Sequence, residues 1–208
     1  MFTSRTRITT AVAAVTTVTA LFAAGCGGDD DSNTMPGMDH GSSSTSASAG
    51  APAARTDFND ADVTFLQMMY PHHAQAVEMA KLVPSRSQNP QLQALATGVE
   101  QAQAPEMQQI TTLLQSFGKP APDTGGHTGH NMPGMMTPEQ MSALHAASGP
   151  DFDRQWLTMM IEHHTGAIAM AETELADGTN GDAKALARSI IDAQRTEIDT
   201  MRGMLGQS

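Results

Sequence analysis

Apolar residues recur every three to four positions in four long stretches of the chain, and no stretch alternates with a sustained period of two. At about 100° per residue, Phe65, Met69, His72, His73, Ala76, Met79 and Ala80 fall within one arc. Gln67, Pro71, Ala74, Gln75, Glu78 and Lys81 fall opposite. A stripe that keeps to one face over this length specifies an amphipathic helix with one buried side. It starts near Asp57 or Asp60, both good N-cap residues, and is expected to end before Pro84. Further long helices are expected from about Pro90 to Phe117, from Asp151 to near Gly178, and from about Asp182 to Leu205. Thr137-Pro138-Glu139-Gln140 places an N-cap before a proline, which predicts a short helix over about 138–147.

The first and third long helices are copies. Asp62 to Ala80 aligns with Asp153 to Ala171 at an offset of 91, with Leu66, Met68, Met69, His72, His73, Ala76, Met79 and Ala80 all recurring. The offset continues without a gap, taking Gln103, Glu106 and Leu114 to Gln194, Glu197 and Leu205. An internal repeat of this length is a duplicated helix hairpin. The predicted fold class is all-α: a four-helix bundle of two pseudo-equivalent hairpins, with a short extra helix in the connection. The bundle spans 57–206, with repeat one over about 57–117, a connection over 118–148 and repeat two over about 149–206.

Chemistry lies on the buried faces. His72 and His73 edge the first stripe, and His163 and His164 edge its copy beside Met160, Ala167 and Met170. On the second helix, with Leu95 as origin, Glu106 falls amid Leu92, Val99, Ile110 and Leu113, with Gln103 toward the edge; Glu197 repeats this. A carboxylate in an apolar core is costly unless paired or metal-bound. Each half therefore offers two imidazoles, a carboxylate, an amide and thioethers. Neutral imidazole is a common metal ligand, so the four histidines, with Met69 and Met160, are candidate ligands. Glu106 and Glu197 are candidates either as ligands or as acceptors that orient the histidine rings. Met68, Met79, Met159 and Met170 are weaker candidates, and all six methionines, Met69 and Met160 included, also suit core filler. The bland alternative is that the histidines and glutamates pair with each other and set helix register. Pro71 and Pro105 interrupt the backbone bonding of the first copy alone, which predicts kinks and non-equivalent halves.

The N-terminus carries Arg5 and Arg7, an apolar run from Ile8 to Ala24, then Gly25-Cys26. A basic start, a short apolar middle and small residues before a cut site describe a secretory signal peptide over 1–25. Its end resembles a bacterial lipobox, which implies a lipid on Cys26 and an anchor at the outer face of the cytoplasmic membrane. Residues 26–56 then form a Gly-, Ser-, Asp- and Ala-rich tether that cannot bury enough surface to fold. Within it lie Met35, Met38 and His40; a second patch in the connection holds His127, His130, Met132, Met135 and Met136. Thioether beside imidazole suits copper, the thioether favouring Cu(I).

Composition narrows the classes. There are 22 Asp and Glu against 11 Lys and Arg, a formal charge of −11, and only eight aromatic Phe, Tyr and Trp residues. That excludes a generally basic nucleic-acid binder. Without 1–25 the chain keeps nine basic residues, a charge of −13; such a surface concentrates cations only weakly at physiological salt. A single cysteine excludes an intrachain disulfide and any multi-cysteine metal site.

Met69-Tyr-Pro-His-His-Ala-Gln-Ala-Val-Glu-Met-Ala80, with Phe152-Asp-Arg-Gln-Trp-Leu-Thr-Met-Met-Ile-Glu-His-His-Thr-Gly-Ala-Ile-Ala-Met-Ala171 and Gly134-Met-Met-Thr-Pro-Glu-Gln-Met141, resembles the secreted bacterial domain-of-unknown-function 305 family. The resemblance covers roughly 57–206. It implies a ferritin-like bundle, and some members are periplasmic copper-binding proteins that use Met and His ligands. Three functions remain. One is an extracytoplasmic, membrane-anchored protein binding copper, as Cu(I) or Cu(II), for buffering, tolerance or handover to a copper-handling partner; zinc or iron are alternative metals. Another is a di-metal oxidoreductase, although that chemistry usually needs four Glu and two Glu-x-x-His pairs. The last is a structural envelope lipoprotein without metal. The oligomeric state is open.

Overall fold

The computed structural model describes residues 55–120, 122 and 132–206. Among them the chain is all-helical: α1 Asp60–Arg86, α2 Pro90–Ser116, α3 Pro138–Ala146, α4 Gly149–Asp177 and α5 Gly181–Leu205. Asn59 caps α1 through a reciprocal box with Asp62 rather than either flanking aspartate doing so. Asn89 and Asn180, related by the repeat, accept the first free N–H groups of α2 and α5. Thr137 and Gln140 form a capping box on α3.

Two boundaries differ from expectation. α1 runs through Pro84 to Arg86. Proline removes one backbone donor, and so near the helix end this costs a single bond while buried Val83 holds the last turns to the core. α4 begins at Gly149, two residues before Asp151, with no side-chain cap bond. α1 and α2 also continue without a break through Pro71 and Pro105.

α1 packs along α2 and α4 along α5; the two hairpins meet chiefly through α1 and α4. Trp156 is fully buried there and donates its indole N–H to the Met79 carbonyl at 2.9 Å. The apolar core is divided in two. One cluster joins Ala76–Val83 of α1 to Leu92, Ala96 and Val99 of α2, the first part of α4 and the last part of α5. The other joins Val63–Met69 of α1 to the last part of α2, Ala167–Ala171 of α4 and the first part of α5. α1 and α4 thus run antiparallel, and their His-His pairs fall between the two clusters.

One helix end is tied by a buried acid. Asp62 accepts the backbone N–H groups of Asn59, Thr179 and Asn180 and the Thr179 hydroxyl, at 2.7–3.2 Å. These bonds draw the start of α1 onto the α4–α5 turn and hold its carboxyl below the ordinary range despite burial. Glu174, 1% exposed, lies beside it. Burial, then the neighbouring Asp62, pushes Glu174 up to about 8. A raised folded value means a stabilising contribution present below the unfolded value, near 4.5, and lost as pH rises through about 8. Thermal midpoints measured from pH 5 to 8.5 are therefore expected to fall in the wild type and to stay flatter in Glu174→Gln. Below pH 4, protonation of Asp62 works the other way.

Candidate metal centre

Between the two apolar clusters lies a polar layer. His72, His73, His163 and His164 are all fully buried, and Gln103 and Gln194 are 2% exposed. The i, i+1 placement of each His pair turns both rings toward the core because each ring edges the same stripe. Their surroundings are methionine-rich: Met69, Met79 and Met160 are fully buried, and Met159 and Met170 nearly so. Met68 is only half-buried.

The histidines meet different partners. His73 Nε2 lies 2.7 Å from Glu106 Oε2, and His164 Nε2 lies 2.6 Å from Glu197 Oε2. Both bonds join residues 33 apart inside one hairpin, so the duplication preserves them. His72 and His163 meet across the hairpins instead, with ring centroids 3.8 Å apart and planes at 43°. His72 Nε2 also lies 3.0 Å from the Pro133 carbonyl. The carbonyl can only accept, so this nitrogen carries the proton and Nδ1 presents a lone pair. Burial depresses His72 to about 3, with neighbouring His73 and His164 adding to it. It pushes His163 well below its ordinary value, with His72 and His164 contributing. Both rings are neutral at physiological pH.

Five ring nitrogens are buried without a hydrogen-bond partner: Nδ1 of all four histidines and Nε2 of His163. The amides of Gln103 and Gln194 are likewise unpartnered. Such groups cost about 1–3 kcal/mol each when left unsatisfied. Unprotonated imidazole nitrogen, together with thioethers buried on the same helices, is a donor set for a soft cation. The residues present therefore fit a metal ion in chemistry.

The arrangement corrects two expectations. Glu106 and Glu197 do not sit mid-stripe; their side chains are 14% and 17% exposed, while Gln103 and Gln194 are buried. Leu95 is itself only half-buried. Taking it as origin misplaced the centre of the stripe, which lies nearer Leu92, Ile110 and Gln103. Second, no three His, Cys, Asp or Glu side chains converge on one point among the described residues. The layer consists of pairs, two His–Glu and one His–His, rather than two three-residue clusters. The two halves are also nearly equivalent at their His–Glu pairs, and the asymmetry falls on His72 and His163.

The lipobox Cys26 and, of the Met/His patches, Met35, Met38, His40, His127 and His130 lie outside the described residues. Met132 and Met135 are half-buried, and Met136 is buried in one apolar cluster with Met79, Met159 and Met160. Gln75 also contributes. It lies on the outward arc of the helical pattern, yet its amide donates to the Met136 carbonyl at 2.9 Å and accepts the Met136 N–H at 2.7 Å. A hint was available: Gln75 aligns with Gly166, a divergence within an otherwise close repeat.

The family described as a domain of unknown function, DUF305, matches residues 62–205. This chain belongs to that family. A solved DUF305 fragment from Deinococcus radiodurans is 33% identical with a TM-score of 0.66, covering 72% of this chain and 98% of its own. A DUF305 protein of Streptomyces coelicolor, described as secreted, is 32% identical with a TM-score of 0.65, covering 71% and 93%. CopM, solved in a Cu(II)-bound form, is 32% identical with a TM-score of 0.62, covering 70% and 96%. CopM has also been solved with Cu(I), with silver and without metal. No match was found among curated proteins.

The His–Glu pairs carry a stability prediction. Glu106→Ala strands His73 Nε2 in the core and is expected to destabilise by about 1–3 kcal/mol in urea unfolding. Glu106→Gln keeps an acceptor and should cost less. Glu197→Ala and Glu197→Gln should repeat both results, because the geometry repeats.

Proposed function

We propose that this protein binds copper outside the cytoplasmic membrane, buffering it or handing it to a copper-handling partner. Five buried, unpartnered imidazole nitrogens in a methionine-rich layer carry this reading. A structural core would be expected to satisfy or replace such groups. The copper- and silver-bound forms of CopM, a relative at 28–32% identity, support the choice of a soft ion. The secreted description of the Streptomyces coelicolor relative supports an extracytoplasmic location. The lipobox-like Cys26 and the Met/His tether add a lipid anchor and a low-affinity collecting segment to the proposal. The four long helices form a ferritin-like four-helix bundle in this reading.

In the bundle, His72 and His163 are the proposed central ligands, because they face each other from opposite hairpins. Met69, Met79, Met159, Met160 and Met170 supply the surrounding thioethers. Glu106 and Glu197 act as acceptors for Nε2–H of His73 and His164. Each thereby turns an Nδ1 lone pair inward and raises its basicity, the usual carboxylate–histidine–metal relationship. No observation in the layer favours di-metal oxidase chemistry: its two glutamates are each already bound to an imidazole.

Cu(I) titrated into the mature chain against a competing chelator is expected to bind stoichiometrically. His72→Ala/His163→Ala should abolish the tight phase while circular dichroism stays helical. Substituting the tether methionines should remove only weak binding. Glu106→Gln should weaken the tight phase about 10–100-fold. A wild-type chain that binds no copper would reduce the layer to a register device in a structural lipoprotein.

A further inference from the structure

The connection between the repeats crosses the buried layer. Residues 132–137 have no counterpart in the duplication, and they lie over the junction of α1 and α4. Three contacts hold them. Gln75 of α1 grips Met136 with both the N–H and the carbonyl oxygen of its amide, at 2.9 and 2.7 Å. The Pro133 carbonyl faces His72 Nε2 at 3.0 Å. Pro133 and Gly134 also press directly on the backbone of α4. A Cβ on Gly166 would overlap the Pro133 carbonyl, and one on Gly134 would come within 2.6 Å of the Glu162 carbonyl and 2.8 Å of the His163 carbonyl. Gly134 further adopts φ of +77°, open to glycine at little strain.

The two copies diverge where this segment crosses them. Gln75 and Gly166 are equivalent positions. One supplies hydrogen bonds to the segment; the other supplies the absence of a side chain. The same crossing separates His72 from His163. The first has Nε2 covered by the Pro133 carbonyl, while the second has neither ring nitrogen bonded.

We propose that Met132–Thr137 is a latch, clasped by Gln75 and seated on Gly166, whose release admits a metal ion to the His72–His163 pair. This rests on the copper-binding reading for the identity of the ion, but the latch itself does not. When closed, it shields His72 Nε2 from solvent and buries Met136 in the core. When it lifts, the covering carbonyl leaves the imidazole pair, and Met132 and Met135 move with the same backbone. Metal uptake is then limited by opening rather than by diffusion to the layer.

The test uses the mature chain and two readouts. In the metal-free protein, acylation of each histidine by diethyl pyrocarbonate is followed by mass spectrometry. In parallel, Ag(I) uptake is followed by stopped flow. Gln75→Ala removes both clasp bonds, and Gly166→Ala wedges the latch from its seat. Each is expected to speed acylation at His72 or His163, and Ag(I) uptake, on the order of tenfold. Gln101→Ala, exposed on α2, should change neither. Should Gly166→Ala fail to fold, Gln75→Ala carries the test alone. Unchanged acylation in folded Gln75→Ala overturns the latch, whatever the metal does. Faster acylation with no Ag(I) bound by any form upholds the latch and overturns the copper-binding reading.

Discussion

Four imidazoles lie in an apolar core, and the molecule is arranged around the cost of having them there. Desolvation favours the neutral ring and pushes His72 and His163 far below their ordinary values. Neutral rings leave lone pairs, and a lone pair in a dry core must be matched or tolerated. Two rings are oriented by carboxylates at the edge of the layer, where Glu106 and Glu197 remain in partial contact with water. That position spares the carboxylates full burial and still lets them reach Nε2. His72 Nε2 meets the Pro133 carbonyl, and the remaining nitrogens have no hydrogen-bond partner. Two apolar clusters, one on each side, supply the burial that offsets the polar layer.

Duplication explains why the layer is paired and the connection explains why it is not symmetric. Contacts within a hairpin span 33 residues in both copies and come out alike, at 2.7 and 2.6 Å. Contacts between hairpins must cross the approximate two-fold relation, where a single connecting segment has only one path. It passes Gln75 on one side and Gly166 on the other, and the sequence differs there because the two sides perform different tasks. Pro71 and Pro105, the conspicuous differences within the repeat, are accommodated by helices that continue through them. The asymmetry that reaches the imidazoles comes from the Pro133 carbonyl.

The ends of the helices follow a separate logic. Asp62 gathers backbone N–H groups from its own N-cap and from the facing turn, and so fastens one hairpin to the other. Glu174 is buried against it and kept protonated by the same environment. At the equivalent position of the second copy, Asp153 Oδ1 is buried with no such partners. The bonds that Asp62 Oδ1 accepts therefore have no counterpart at Asp153 Oδ1, although the helices enclosing the histidines are copies.

Much of this was legible along the chain because it depends on local periodicity. The four long helices, the short α3, the offset of 91 and the inward turn of all four histidines follow from residues a few positions apart on one helix. Helix ends were less legible, since Pro84 reads as a stop and tolerates being a last-turn residue. The facing of the second helices was misjudged by a fraction of a turn, which exchanged Gln103 with Glu106 at the centre of the stripe. An apolar stripe broad enough to touch two neighbours does not reveal which of its edges is buried deeper. Partner choice was legible only in kind: histidine–glutamate pairing was expected, but not which histidine each glutamate meets. That His73 meets Glu106, that His72 meets His163, and that Gln75 holds Met136 are relations across 33, 91 and 61 positions. They depend on how the helices rotate and dock, a balance of many small packing contacts that no short stretch of sequence encodes.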